Sequence, residues 1–256
     1  MFLSSLRRLR RNLGLAQTRC TYCLIPFTPE SRDNAATQLC PACAALFTPC
    51  DAPRCLRCAL PLDAETTLCG ECLHNPPPWE SIAAYGQYRG ELRNALLRLK
   101  FGGEFAMASL LGACLFKIAT GLPLPDALVA VPQHPIHLRR RGFNQAHEIA
   151  RVLHKHTGIP LRADLLRRTA PHIPQTGLSA AERRRNTRQM FEAASQVSGL
   201  ALWLVDDVMT TGVTLRAAAG VLRDGGARET LILIVARTPQ DPPANIDKRI
   251  FPRFFC

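Results

Sequence analysis

Aromatic side chains are scarce, making up 6% of 256 residues, with two tryptophans and three tyrosines. A protein that stacks a long run of bases needs more of them, so the scarcity weakens any reading as an aromatic platform for nucleic acid. Acids are also short: 20 Asp and Glu face 32 Lys and Arg, leaving a formal charge of +12. Such an excess predicts anionic partners (phosphates, nucleic acid or anionic lipid) without choosing among them. No apolar stretch is long enough to span a bilayer. A secretory signal is lacking too, because Arg7, Arg8, Arg10 and Arg11 have no apolar core behind them. Phe2, Leu3, Leu6, Leu9 and Leu13 fall near helical spacing, yet a segment this short reads first as a frayed, solvated terminus.

Cysteine is plentiful, with eleven in the chain. Sixteen residues separate the pair Cys20 and Cys23 from Cys40 and Cys43, and ten separate Cys55 and Cys58 from Cys69 and Cys72. Each quartet can offer four thiolates to one tetrahedral zinc, in a reducing cytosol rather than an oxidising compartment. With no open position both sites are structural. The ligands pair either sequentially or interleaved, and spacing alone leaves both open. Few apolar residues lie among them, so metal is expected to supply the folding energy. Cys50, Cys114 and Cys256 read as non-ligands.

Pro76-Pro77-Pro78 marks a stiff boundary. The expected division is a basic segment 1–18, a double zinc ribbon 19–75, an α/β domain 79–240 and a tail 241–256. Within the α/β part, strands are predicted at Ile82–Tyr88, Ala127–Val131, Leu165–Leu166, Ala201–Val205 and Glu229–Ala236. Helices are predicted from about Leu92 to Gly103 and over Glu104–Thr120, Asn144–His156 and Leu215–Arg223. Phe251, Phe254 and Phe255 of the tail are candidates to dock on the domain. Strands alternating with helices indicate a parallel sheet flanked by helices.

The most informative stretch is Ala201–Leu215, ALWLVDDVMTTGVTL. Its order is buried strand, two carboxylates (Asp206, Asp207), the turn Thr210-Thr211-Gly212-Val213-Thr214, and a helix. Ligands of open α/β sheets sit outside the carboxyl ends of strands. A glycine turn opening a helix offers backbone N–H groups and a positive dipole end to a phosphate. Adjacent carboxylates can accept bonds from neighbouring sugar hydroxyls, so a ribose 5-phosphate fits. A second loop follows the strand at Ala127–Val131: VPQHP, then Arg139-Arg140-Arg141-Gly142-Phe143-Asn144-Gln145. Arginine forks suit phosphates. His134, His137 and His147 match no metal spacing and read as ordinary polar residues. From Arg139 to Arg188 twelve Lys and Arg face three acids. Ser179 and Glu182 resemble a capping box within a long polar segment, Arg168–Met190.

VDDVMTTGVT resembles the 5-phosphoribosyl 1-pyrophosphate (PRPP) motif of type I phosphoribosyltransferases. The resemblance implies that Asp206 and Asp207 hold the ribose hydroxyls and that Thr210, Thr211, Gly212, Val213 and Thr214 wrap the 5-phosphate. Purine-type members often carry a third acid where Thr210 stands, so purine-base chemistry is in doubt. The whole chain resembles the ComF (competence protein F, GntX-like) family through its four CxxC pairs, LRLKFGGE, VPQHP, RRRGFNQA, PQTGLSAAERRRN and VDDVMTTGVT, which span Cys20 to Arg237. That resemblance implies a double zinc ribbon joined to a phosphoribosyltransferase-type domain and a link to natural transformation, with no acceptor established.

Two functions follow as expectations. As an enzyme, the chain binds PRPP with magnesium at Asp206 and Asp207, faces pyrophosphate with Arg141, Asn144 and Gln145, and closes the Arg168–Asn186 segment over the site. As a binding protein, the same site senses PRPP or a nucleotide while the ribbons and basic face hold single-stranded DNA. Implied partners also include competence-machinery proteins such as a ComF-type helicase or translocase. The expected location is the cytoplasm, with peripheral attachment to the inner membrane as an alternative.

Overall fold

The computed structural model describes residues 18–29, 37–62, 66–169 and 190–239. Residues 1–17 of the basic N-terminal segment, Ser179 with Glu182, Arg183 to Arg185, Cys256 and the phenylalanines of the tail lie outside the described residues.

Strands Thr18–Arg19 (β1) and Pro26–Phe27 (β2) pair antiparallel, and the short helices Pro41–Leu46 (α1) and Gly70–His74 (α2) follow. Next come Ser81–Gln87 (β3), Gly90–Gly102 (α3), Phe105–Ala119 (α4), Ala127–Ala130 (β4), Pro135–Arg141 (α5) and Gln145–Thr157 (α6). Leu166–Arg168 (β5), Phe191–Ala193 (β6), Ala201–Met209 (β7), Val213–Asp224 (α7) and Glu229–Arg237 (β8) complete the described elements. One parallel sheet runs in the order β3-β8-β7-β4, and β5 with β6 forms a separate antiparallel pair.

Apolar runs such as ALWLV and TLILIVA suit parallel strands covered on both faces. Alternation sorts their side chains between two cores. Trp203, Val205, Leu231, Leu233 and Val235 join Leu96, Leu99, Leu111, Leu115, Ile149 and Leu153 beneath α3, α4 and α6. Leu202, Leu204, Ile232 and Ile234 join Leu215, Ala218 and Leu222 of α7. Truncating one of these, such as Leu204→Ala, costs about 2–5 kcal/mol. Gly112 lets α4 and α6 touch: a Cβ there meets Val152 Cβ at 2.5 Å.

The cysteine-rich segment has no core of its own. Leu39, Phe47, Cys20, Cys40 and Cys43 belong to the first core, whereas Cys55, Cys58, Cys72 and Trp79 belong to the second. Between the two groups the chain runs along the outer edge of β3. There Cys50 N–H donates to the Tyr85 carbonyl (3.1 Å) and Ile82 N–H donates to the Leu56 carbonyl (2.9 Å). At the opposite edge, Leu128 N–H donates to the Pro160 carbonyl (2.8 Å) and Arg162 N–H to the Leu128 carbonyl (2.9 Å). Both open edges are thereby covered, which removes templates for strand addition.

Two expectations change. β7 continues four residues past Val205, so the acid pair lies inside the strand. The ladder depends on backbone groups, and β8 runs alongside far enough to pair Asp206 with Ile234 and Met209 with Arg237. Arg139 to Arg141 form the last turn of α5 rather than an open loop. Pro135 at the helix start, His134 Nδ1 accepting from Ile136 N–H (3.0 Å) and Gly142 at φ +80° supply its start and stop.

Candidate functional site

The candidate site lies at the carboxyl ends of β7 and β4. After Met209 the chain turns through exposed Thr210 and Thr211 to Gly212, which opens α7 at φ +78°. No side chain caps α7 and no acid stands in its first turn. Its leading N–H groups and dipole are therefore suited to an external anion. Asp206 Oδ1 accepts from Asp207 N–H (2.9 Å), and Asp207 Oδ1 accepts from Val208 N–H (2.7 Å). Burial, then the neighbouring Asp207 charge, pushes the Asp206 carboxyl well above its usual range, while Lys100 pulls it down. Asp206 as a residue is half-buried.

Basic groups lie within electrostatic reach of Asp206. Arg168 at the end of β5 is depressed by burial and supported by Asp206, and its Nε has no partner in the structure. His137 is lowered by desolvation, then by Arg141, His134, Arg168 and Lys100 together. Lys100, Arg141, Arg168, His137 and Asp206 thus share one electrostatic neighbourhood. Phe101, 71% exposed, stands in it, with the Arg141 guanidinium 5.4 Å and Lys100 Nζ 5.8 Å from its ring centre.

The other residues expected to face an anion divide. Asn144 is a brace: Nδ2 donates to the Val131 carbonyl (3.0 Å), and Oδ1 accepts from the N–H groups of Ala146 (3.0 Å) and His147 (3.4 Å). It ties the end of β4 to the start of α6. Gln145 is 1% exposed, with neither amide atom partnered. A buried amide in that state has unmet hydrogen-bonding capacity.

The eight cysteines form two groups, Cys20/Cys23/Cys40/Cys43 and Cys55/Cys58/Cys69/Cys72, with the sulfurs of each within 4.8 Å of one another. Pairing is therefore sequential. A tetrahedral zinc with bonds of about 2.3 Å requires sulfurs about 3.8 Å apart. Cys23 and Cys40 are at 3.8 Å, and Cys58 and Cys69 at 3.6 Å. Backbone N–H groups of Cys40 and Cys69 point at Cys20 Sγ (3.3 Å) and Cys55 Sγ (3.4 Å). Burial disfavours the Cys20 thiolate, but N–H groups of Cys23, Cys40 and Tyr22 outweigh it and bring the thiol down to about 6. Cys55 falls to about 7 in the same way, burial being outweighed by the N–H groups of Cys69 and Arg57 with help from Cys58. Both groups fit a closed, structural zinc site. Cys50 and Cys114 stand outside them.

Sequence reasoning gave no individual role to three residues near this site. Lys100 stands near a helix end, where a cation is ordinary. Arg168 was one of many in a basic run. Arg237 closes an apolar strand, and nothing local marks it as buried.

Fold and site together define an α/β protein whose central strand delivers a carboxylate pair to a glycine-opened helix, with two tetrathiolate groups packed on opposite faces of its sheet. No family model matches the chain. It is 34% identical over 190 residues to the DNA utilization protein YhgH of Salmonella typhi, covering 72% of this chain and 84% of that protein. Against YhgH of Escherichia coli (strain K12) the identity is 32% over 206 residues, 78% of this chain and 90% of the other. Competence protein F of Haemophilus influenzae is 32% identical over 194 residues, 72% of this chain and 85% of that protein. The chain belongs to this competence protein F (ComF) family. Among solved structures, the allosteric regulatory enzyme of purine biosynthesis overlaps 48% of this chain and 24% of its own, at 25% identity and a TM-score of 0.35. A purine phosphoribosyltransferase from Pyrococcus horikoshii overlaps 64% of this chain and 99% of its own, at 15% identity and a TM-score of 0.29. Among the described residues no helix is long and apolar enough to cross a membrane.

Proposed function

We propose that the chain binds PRPP with magnesium at Asp206 and serves DNA utilization in natural competence, as the names of its relatives suggest. One observation carries the reading: an uncapped helix N-terminus, a left-handed Gly212 and two adjacent carboxylates meet at the carboxyl end of a central parallel strand. The N–H groups of Val213 and Thr214, with the hydroxyls of Thr210, Thr211 and Thr214, hold the 5-phosphate. Asp206 and Asp207 accept from the ribose hydroxyls. Lys100, Arg141 and Arg168 face the diphosphate, and Gln145 supplies an amide. Magnesium, when bound with PRPP, screens the diphosphate charge. Asn144 positions α6 and does not touch the ligand. Pyrophosphate loss to an acceptor would draw on positioning and on stabilisation of the departing charge. Zinc fills both cysteine groups, and the protein works in the cytoplasm alongside competence-machinery proteins such as a helicase or translocase.

Calorimetric titration of the zinc-loaded protein with PRPP and magnesium tests the reading, with pyrophosphate release measured against candidate acceptors. Binding with release supports an enzyme, and binding without release supports a sensor. Absence of binding rejects the site.

A second reading, attachment to single-stranded DNA, is favoured by exposed Phe101 between Lys100 and Arg141. Four residues on in sequence, Phe105 (50% exposed) has its ring centre 4.8 Å from that of Phe143. Exposed aromatics among arginines suit unstacked bases.

A further inference from the structure

Arg237, the last residue of β8, is 3% exposed and reaches both the second cysteine group and the phosphate turn. Its Nε donates to the Cys58 carbonyl at 2.9 Å. Its Nη1 donates to the carbonyls of Met209 (2.9 Å), Thr238 (3.0 Å) and Thr210. One planar guanidinium therefore bonds a ligand residue of the Cys55 group and the two residues that begin the turn. A buried cation needs negative charge close by. Here the Cys55 group supplies it, since the guanidinium is bonded to Cys58, one of the four clustered cysteines. Four thiolates around a divalent zinc keep a net negative charge facing Arg237.

The same two parts touch elsewhere. Arg216, in the first turn of α7, donates to the carbonyls of Asn75 (3.1 Å) and Pro76 (3.5 Å), just past the last ligand of the group. Cys58, Cys69, Cys72, Thr211, Arg216 and Arg237 help to line one cavity of about 300 Å³. The Cys20 group is tethered differently. Its Tyr22 carbonyl accepts from Arg98 (2.9 Å), and the Tyr22 hydroxyl donates to Glu91, both on α3.

We propose that Arg237 is a positioning residue that couples the two sites, so that zinc at Cys55/Cys58/Cys69/Cys72 and PRPP at the Thr210–Thr214 turn bind cooperatively, while zinc at the Cys20 group does not share this coupling. The proposal rests on the PRPP reading. Metal holds Cys58 in place, Cys58 and the turn share Arg237, and the turn presents the N–H groups of α7. By linkage the effect runs both ways: PRPP must tighten the second zinc by the same factor that zinc tightens PRPP.

The test uses full-length, zinc-loaded protein. PRPP affinity is measured with magnesium by calorimetry for wild type, Arg237→Gln and Arg237→Lys. Zinc is then withdrawn by a chelator with and without PRPP, and thiol alkylation read by mass spectrometry identifies which quartet opens. In wild type, PRPP is expected to slow alkylation of Cys55, Cys58, Cys69 and Cys72 several-fold and to leave Cys20, Cys23, Cys40 and Cys43 unchanged. Arg237→Gln, still holding two zinc ions, should bind PRPP about tenfold more weakly and lose the protection, within the ~5- to 150-fold range usual for coupled sites. Arg237→Lys, which keeps the charge and part of the bonding, should recover part of both. If wild type binds PRPP but protects neither quartet, or both alike, the coupling is wrong. It is equally wrong if zinc-replete Arg237→Gln binds like wild type. A wild type that never binds PRPP removes the underlying reading and the coupling with it. Should Arg237→Gln fail to fold, the wild-type alkylation pattern and Arg237→Lys still decide.

Discussion

Asp206 is a residue the fold itself does not favour in ionised form. Burial and Asp207 raise its carboxyl, so the folded state holds that proton to higher pH than the unfolded chain. Below about pH 4 the group is protonated in both states and contributes no penalty. As pH rises the unfolded chain ionises first, and stability falls until the folded group ionises too. Asp206→Asn with Asp207→Asn is therefore expected to leave the melting temperature unchanged or slightly raised and to flatten this decline, while PRPP binding disappears. Melts from pH 4 to 8 beside a PRPP titration check both halves. A double variant that unfolds easily would make the acids structural. Gly212→Ala acts through the backbone: φ is +78°, and the new Cβ meets Met209 Cε at 2.5 Å. The methionine end can swing away, so left-handed strain of about 1–2 kcal/mol is the main cost. A lower melting temperature with weaker PRPP binding is the expected result.

At the scale of elements, the cysteine groups and the α3–α5 face each make a prediction. Native mass spectrometry should find two zinc ions per chain, one for each tetrathiolate set. Chelation should lower the melting temperature, because metal binding and folding of such segments are linked. A metal-free, disulfide-bonded protein would remove both sites. If DNA lies across α5, replacing Arg139, Arg140 and Arg141 with alanine should flatten the salt dependence of single-strand affinity by about 2 in slope, at ~0.7 per phosphate contact. Phe101→Ala should cost about 1–3 kcal/mol, the worth of one stacked base. An unchanged slope in a filter-binding series moves DNA to the cysteine segment or to Arg183–Arg185, which lie outside the described residues.

For the whole molecule, the cysteine-rich segment is part of the sheet's packing as well as the holder of two groups that could bind metal. It covers the outer edge of β3 and adds Phe47 to one core and Cys55, Cys58 and Cys72 to the other. A fragment beginning at Trp79 would expose that edge and open the first core at Phe47, so it is expected to aggregate where full-length protein stays soluble. Sedimentation of the two proteins, expressed side by side, tests this. A soluble, cooperatively melting fragment would show that the α/β part folds alone.

The sequence determined what depends on neighbours along the chain. Apolar runs at Ala201–Val205 and Glu229–Ala236 specified buried strands, the glycines at 102 and 103 marked a helix end, and CxxC spacing specified candidate metal ligands, because each is a local matter of periodicity, backbone freedom or ligand count. The carboxylate pair and its glycine turn were legible for the same reason. Tertiary structure decided what depends on which segments meet. Sequential grouping of the cysteines, Asn144 acting as a brace, and the placing of Lys100 and Arg168 within electrostatic reach of Asp206 depend on residues brought together from different segments. Arg237 is the extreme case. Alone at the end of an apolar strand, it carries no local mark of its surroundings, and only packing brings a chain segment 179 residues away to accept its hydrogen bond.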